Sequence, residues 1–241
     1  MSVLSKGDEM SNVGSFVAAI AFVFANAWAA FADELVKPDP STAPTALQIK
    51  VSQGDAWAYE IRDDVTGDAK GLITFVATKV TDDGIETLVT YQRTATNALT
   101  TSTEVFDARW RMKDNGKVLY QPHLDSTGVP DDLQVGKSWS FKYETSRKAA
   151  VLGQEYAGLG KVEAWEHITL PNGSGYDAFK IDVTSSTTLR GSDRKIETHS
   201  IMWFAPAVNR LVRRVDEQRE NGKLKDASEQ TLREYKPVSK T

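Results

Sequence analysis

The chain has 241 residues, 40% of them hydrophobic and 9% aromatic, with a formal net charge of −4. That composition suits a folded core, and its interspersed charges exclude the clustered basic face of a nucleic-acid groove. There is no cysteine, which excludes disulfides, thiolate nucleophiles, cysteine zinc sites and a lipid-anchored cysteine.

The first predicted element is a signal peptide over residues 1–32. Phe16–Ala25, "FVAAIAFVFA", is too short to span a bilayer but suits a secretory h-region. Cleavage is expected between Ala32 and Asp33, after the small-residue pattern Ala30-Phe31-Ala32. Translation starts at Met1 or at Met10, with Lys6 the one basic side chain upstream. The expected location is periplasmic or secreted, in a bacterium, with no transmembrane segment in the mature chain. Residues 33–46, with three prolines, read as a flexible lead-in to a β domain over 47–236, and 237–241 form a tail.

Within the β domain, apolar residues alternate. Trp57, Tyr59 and Ile61 share one parity, as do Ile85, Thr87, Val89 and Tyr91; Phe106, Ala108, Trp110 and Met112; and Phe179, Ile181 and Val183. Period-two rows place such side chains on one face of half-buried antiparallel strands. Asp83-Gly84, Asn115-Gly116, Asn172-Gly173 and Asn221-Gly222 each separate two such runs and supply the backbone of a tight hairpin.

The halves correspond. Gly54-x-x-Trp57-x-Tyr59 matches Gly136-x-x-Trp139-x-Phe141, Asp83-Gly84 matches Asn172-Gly173, and Trp110 matches Trp203. Seven residues after Trp110 and Trp203 come Lys117-Val118-Leu119 and Arg210-Leu211-Val212, preceded by Gly116 and Asn209. The fold expected is all-β: two duplicated antiparallel meander units of about 80 to 90 residues, near 47–129 and 130–236, forming a twisted sheet, a sandwich or a half-open barrel.

"GDAWAY", "GKSWSF" and "WFAPAVNRLVRRVDEQ" resemble a group of bacterial exported β-rich domains of unknown function, sometimes labelled TapB-like. In that group a G-x-x-W-x-[YF] strand opens a unit and a W-[YF]-x-P…G-x-[VL] strand pair closes it. Asn209 stands where the group more often has glycine. The resemblance implies an envelope β-sheet protein and brings no catalytic residues. A looser similarity of architecture is to LolA-type periplasmic carriers, whose curved sheets enclose an apolar cavity.

The Gly136-Lys137-Ser138 triplet mimics the end of a phosphate-binding loop. Such a loop needs glycine at position 131, where Asp131 and Asp132 would repel phosphate, and a helix where an alternating strand follows. The histidines, His123, His167 and His199, lack metal-ligand spacing, and Ser174 in "NGSG" sits in a turn. Arg210, Arg213, Arg214 and Arg219, interleaved with Asp216, Glu217 and Glu220, read as the solvated face of a strand. The alternative for that run is an anionic headgroup or polysaccharide. Trp57, Tyr59, Trp139, Phe141, Trp165 and Trp203 are core or ligand-lining aromatics.

The expected function is thus an exported, non-catalytic envelope protein binding a lipid or other apolar or amphiphilic small molecule on a concave sheet face. No catalytic residue, metal or cofactor is expected, and no nucleic-acid partner. The alternative is a structural or interaction component that pairs with another envelope protein through exposed edge strands. A hydrolase comes third.

Overall fold

The computed structural model describes residues 42–44, 49–124, 133–147, 150–189 and 194–238, without the side chains of 122–124, 147, 150–152 and 189. The signal peptide, its Ala32/Asp33 cleavage site, most of the lead-in, Asp131 and the His123 side chain lie outside the described residues.

Alternation becomes strand in three of the four predicted rows. In chain order the strands are β1 (Ala56–Asp63), β2 (Ala69–Thr81), β3 (Gly84–Arg93), β4 (Leu99–Phe106), β5 (Met112–Asp114), β6 (Val118–Leu124), β7 (Ser138–Arg147), β8 (Ala150–Thr169), β9 (Gly175–Leu189), β10 (Lys195–Ala205), β11 (Arg210–Glu220) and β12 (Lys223–Lys236). Each strand pairs antiparallel with the next, and β12 returns to β1 through pairs such as Trp57↔Tyr235 and Asp63↔Ser228. The sheet therefore closes into a barrel. Closure replaces the open sheet, the sandwich and the half-open barrel, and it removes the terminal edges that a strand-pairing scaffold would use.

All four predicted turns join neighbouring strands, with positive φ at Gly84, Gly116, Gly173, Asn221 and Gly222. One predicted row fails. Phe106, Ala108, Trp110 and Met112 do not share a strand, because β4 ends at Phe106 and Trp110 takes φ 64° in the turn before β5. Asp107 makes that turn: its Oδ1 accepts from the N–H groups of Arg109 (2.8 Å) and Arg111 (2.9 Å), and its carbonyl accepts from Trp110 N–H (3.1 Å). A short polar side chain bonding its own downstream backbone outcompetes the ladder.

Two strand entries are built alike. Gly54 (φ 97°) donates to Ala77 O at 2.7 Å, and Gly136 (φ 89°) donates to Val162 O at 2.8 Å. Ala77 and Val162 answer by donating to Asp55 O and Lys137 O. The triplet that mimics a phosphate loop is thus a strand entry, with Trp139 and Phe141 continuing in β7.

The core is built on alternating positions of several strands: Trp57 and Tyr59 on β1, Ile85, Thr87 and Val89 on β3, Phe141, Tyr143 and Thr145 on β7, Phe179, Ile181 and Val183 on β9. Each aromatic ring of this kind removes roughly 150–250 Å² from water, about 4–6 kcal/mol at about 25 cal/mol per Å². The other face carries ion pairs such as Lys142–Glu155 and Arg213–Glu229. Among the described residues no helix is long and apolar enough to cross a membrane.

Candidate functional site

Two places in the barrel combine apolar walls with unsatisfied polar groups. The first grows from the turn between β10 and β11. Pro206–Val208 forms a single 3-10 turn that ends on Asn209 in the left-handed conformation (φ 55°). Pro206 starts the turn with its fixed φ, and asparagine tolerates the positive φ that ends it. Three aromatic donors then hold the backbone that follows. Trp57 Nε1 donates to Val208 O at 2.8 Å, Trp110 Nε1 to Asn209 O at 2.7 Å, and the Tyr59 hydroxyl to Leu211 O at 2.8 Å.

This clamp sends the Arg210 side chain into the barrel wall among five rings. Its Cζ lies 3.8 Å from the ring centroid of Phe75, 4.1 Å from Trp110, 5.5 Å from Trp57, 5.6 Å from Phe106 and 6.0 Å from Tyr59. The rings support one another, with edge-to-face contacts between Trp57 and Trp110 and between Phe106 and Trp110, both at 5.3 Å. Ring faces attract a guanidinium, most strongly where water is absent.

The attraction does not satisfy its hydrogen bonding. Arg210 as a whole is half-buried, but its Nη1 is cut off from solvent and has no partner. The Tyr59 hydroxyl lies nearby and favours the charge, while its own proton goes to Leu211 O. No carboxylate among the described residues comes into ion-pair contact. Burial pushes the Arg210 pKa down, opposed by Tyr59 and Glu104. Burial likewise pushes Tyr59 up to about 12 and raises Glu104, in each case against the pull of Arg210.

A cavity of about 120 Å³ opens beside Arg210, lined also by Glu104, Phe106, Trp110, Met112 and Arg214. Arg214 is occupied, with its Nε 2.8 Å from Asp216 Oδ1. The wall here is the most thinly paired part of the barrel, since β5 holds β4 and β6 by two residue pairs each.

The second place is a groove of about 550 Å³ across β7, β8 and β9, lined by Trp139, Leu159, Gly160, Lys161, Glu163 and Asp182. Leu159 is 62% exposed there. Trp139 is half-buried and lies over Gly160, where an added Cβ would come within 2.2 Å of the ring. Its Nε1 is buried with no partner.

Of the predicted aromatics, Trp57 and Tyr59 join the Arg210 cage and Trp139 lines the groove. Phe141 and Trp165 are core, with Trp165 4.6 Å from Phe179. Trp203 is 9% exposed; its Nε1 donates to Glu166 at 2.6 Å, and Arg213 covers its ring at 4.9 Å. His167 and His199 are exposed and pair separately with Asp177 (2.8 Å) and Asp182 (3.0 Å).

The arginine run needs correction at two places. Arg213 and Arg219 pair with Glu229 and Glu217 on the solvated strand face, whereas Arg214, paired with Asp216, lines the Arg210 cavity. Arg210 leaves that face for the cage. Parity could not show this, because Val208 lies in the 3-10 turn and the β10–β11 register shifts between Leu211 and Arg213. The residues that complete the cage, Phe75 and Glu104, carried no distinguishing spacing.

Similarity to known proteins lies in the fold. No protein-family model matches the chain, and no curated protein matches it. A crystal structure described as a "putative lipoprotein" from Parabacteroides distasonis ATCC 8503 is similar, with a TM-score of 0.55 and 17% identity, over 80% of this chain and 100% of that one. A "putative exported protein with YmcC-like fold" from Bacteroides fragilis NCTC 9343 is similar with a TM-score of 0.52 and 14% identity, over 79% of this chain and 99% of that one. At these identities the likeness establishes a shared fold.

Proposed function

We propose that this chain is an exported, non-catalytic protein of the bacterial cell envelope that binds an apolar or amphiphilic ligand. The observation that carries the proposal is the groove on β7–β9. Its volume of about 550 Å³ falls within the roughly 300–1,000 Å³ of small-molecule sites. Leu159 offers an exposed apolar patch, while Lys161, Glu163 and Asp182 offer polar edges. That is the division an amphiphile presents. The cavity at Arg210, about 120 Å³, is too small for a lipid tail, so the ligand belongs on the outer groove instead of inside the barrel.

Export is supported by the h-region at Phe16–Ala25. It is also supported by the shared fold, since the two similar proteins are described as exported or as a lipoprotein. The non-catalytic reading is supported by what surrounds the groove, where charged side chains pair with neighbours, as in Lys161–Glu163 and His199–Asp182. We further infer that the barrel is two six-strand units, because Gly54 and Gly136 open β1 and β7 with the same hydrogen bonds.

Native mass spectrometry of material purified from its own periplasm tests the function. An amphiphile bound to the wild type and lost in Leu159→Asp is the expected result. A ligand-free mass under mild extraction, with crosslinks to an envelope protein, would favour a structural role instead.

A further inference from the structure

The cavity beside Arg210 is separate from the groove and has a chemistry of its own. A buried arginine with an unpaired N–H is costly, and desolvation of the charge is offset here by ring faces, the nearby Tyr59 hydroxyl and the Glu104 carboxyl without an ion pair. Guanidinium presents five N–H donors and no acceptor, so whatever completes it must bring acceptor oxygens or a negative charge. Among the described residues the Tyr59 hydroxyl lies close to Arg210, but no carboxylate forms an ion pair with it. Arg214, the other cation of the wall, is neutralised by Asp216. Glu104 lines the cavity without reaching ion-pair contact with Arg210.

The cavity restricts what fits. At about 120 Å³ it holds the equivalent of about four waters, taking roughly 30 Å³ for each. Phe106, Trp110 and Met112 give it apolar walls suited to a short alkyl group. The Glu104 carboxyl faces the same space and selects against multiply charged anions, since like charges in a desolvated site repel strongly. A monocarboxylate meets every condition: one oxygen accepts from the Arg210 guanidinium where it lines the cavity, and a proton shared with Glu104 relieves the repulsion.

We propose that the cavity formed by Arg210, Glu104, Phe75, Phe106 and Trp110 is a binding site for a small monocarboxylate of a few carbons. The clamp of Trp57, Tyr59 and Trp110 on the carbonyls of residues 208, 209 and 211 holds the guanidinium in place before the ligand arrives. Preorganisation of this kind removes an ordering cost from binding.

Isothermal titration calorimetry of the folded chain with sodium propionate, at ionic strength matched with sodium chloride, tests the site, with Trp110 fluorescence as a second readout. One saturable site is expected. Arg210→Met should weaken it at least about tenfold, the loss of one charge-assisted hydrogen bond. Glu104→Gln, which leaves the guanidinium in place, should tighten it several-fold near neutral pH. Sulfate and laurate should give no saturable heat, being too highly charged and too long. Absence of a propionate site in the wild type, equal binding in folded Arg210→Met, or unchanged affinity in Glu104→Gln would each overturn the assignment. Equal binding of sulfate would overturn the monoanion selectivity, and equal binding of laurate would show that the site takes a lipid headgroup.

Discussion

Replacing Arg210 with methionine separates what the guanidinium does for stability from what it does for binding. The change keeps an unbranched stem of similar reach, so the cage is not emptied. It removes ring-face attraction worth about 2 kcal/mol for a desolvated cation. It also removes the cost of a buried unpaired N–H, about 1–3 kcal/mol, together with part of the desolvation of the charge. Sulfur against aromatic rings returns about 0.3–1.5 kcal/mol. The three aromatic hydrogen bonds of the clamp go to backbone carbonyls and survive the substitution. The net expectation is a gain of about 1 kcal/mol, which raises Tm by about 2–4 °C for a domain of this size. Thermal denaturation followed by near-ultraviolet circular dichroism, without carboxylate in the buffer, measures it. A loss beyond about 2 kcal/mol would refute the reasoning, because Arg210 would then be a structural anchor whose ring contacts outweigh its desolvation.

Glu104→Gln tests the electrostatics of the same cavity. Burial raises the Glu104 pKa in the folded state against the opposing pull of Arg210, so its contribution to stability is present below the unfolded carboxyl range and is lost as pH rises through the folded value. The variant should therefore exceed the wild type in Tm near pH 7 and match it near pH 4. Asp107→Ala should lower stability by roughly 3 kcal/mol, since charge-assisted hydrogen bonds contribute about 1.5–3 kcal/mol each, and should shift Trp110 fluorescence as its turn loosens. Burial opposes the Asp107 charge, but hydrogen bonds from Arg111 and Arg109 outweigh it and hold the carboxyl low. This contribution is present above the unfolded carboxyl range and is lost as pH falls through the folded value. Gly160→Ala should cost about 1–3 kcal/mol by overpacking against Trp139, visible in chemical denaturation; an unchanged midpoint would mean the ring moves aside freely.

Strands and hairpins were legible because their causes are local. Alternation marks Ile85–Val89 and Phe179–Val183 whatever lies across the sheet, and Asn221-Gly222 needs no distant residue to turn the chain. The row through Trp110 misled because Asp107, one residue beyond Phe106, offers its neighbours a better hydrogen-bond acceptor than the ladder does. Which barrel forms was settled elsewhere, by pairing β1 with β12 across most of the chain.

The sequence by itself determined an all-β chain with its turns in place and most of its core parity, since period two and positive-φ residues act over a few positions. Only the tertiary structure decided that the sheet closes, and so what Arg210 does. In the local sequence it is one arginine in a charged run, with the same residue type as the solvated Arg213. Its burial depends on rings delivered by β1, β2, β4 and the turn after β4, all far from it along the chain. Closure brings those rings to β11, and no local pattern encodes their meeting.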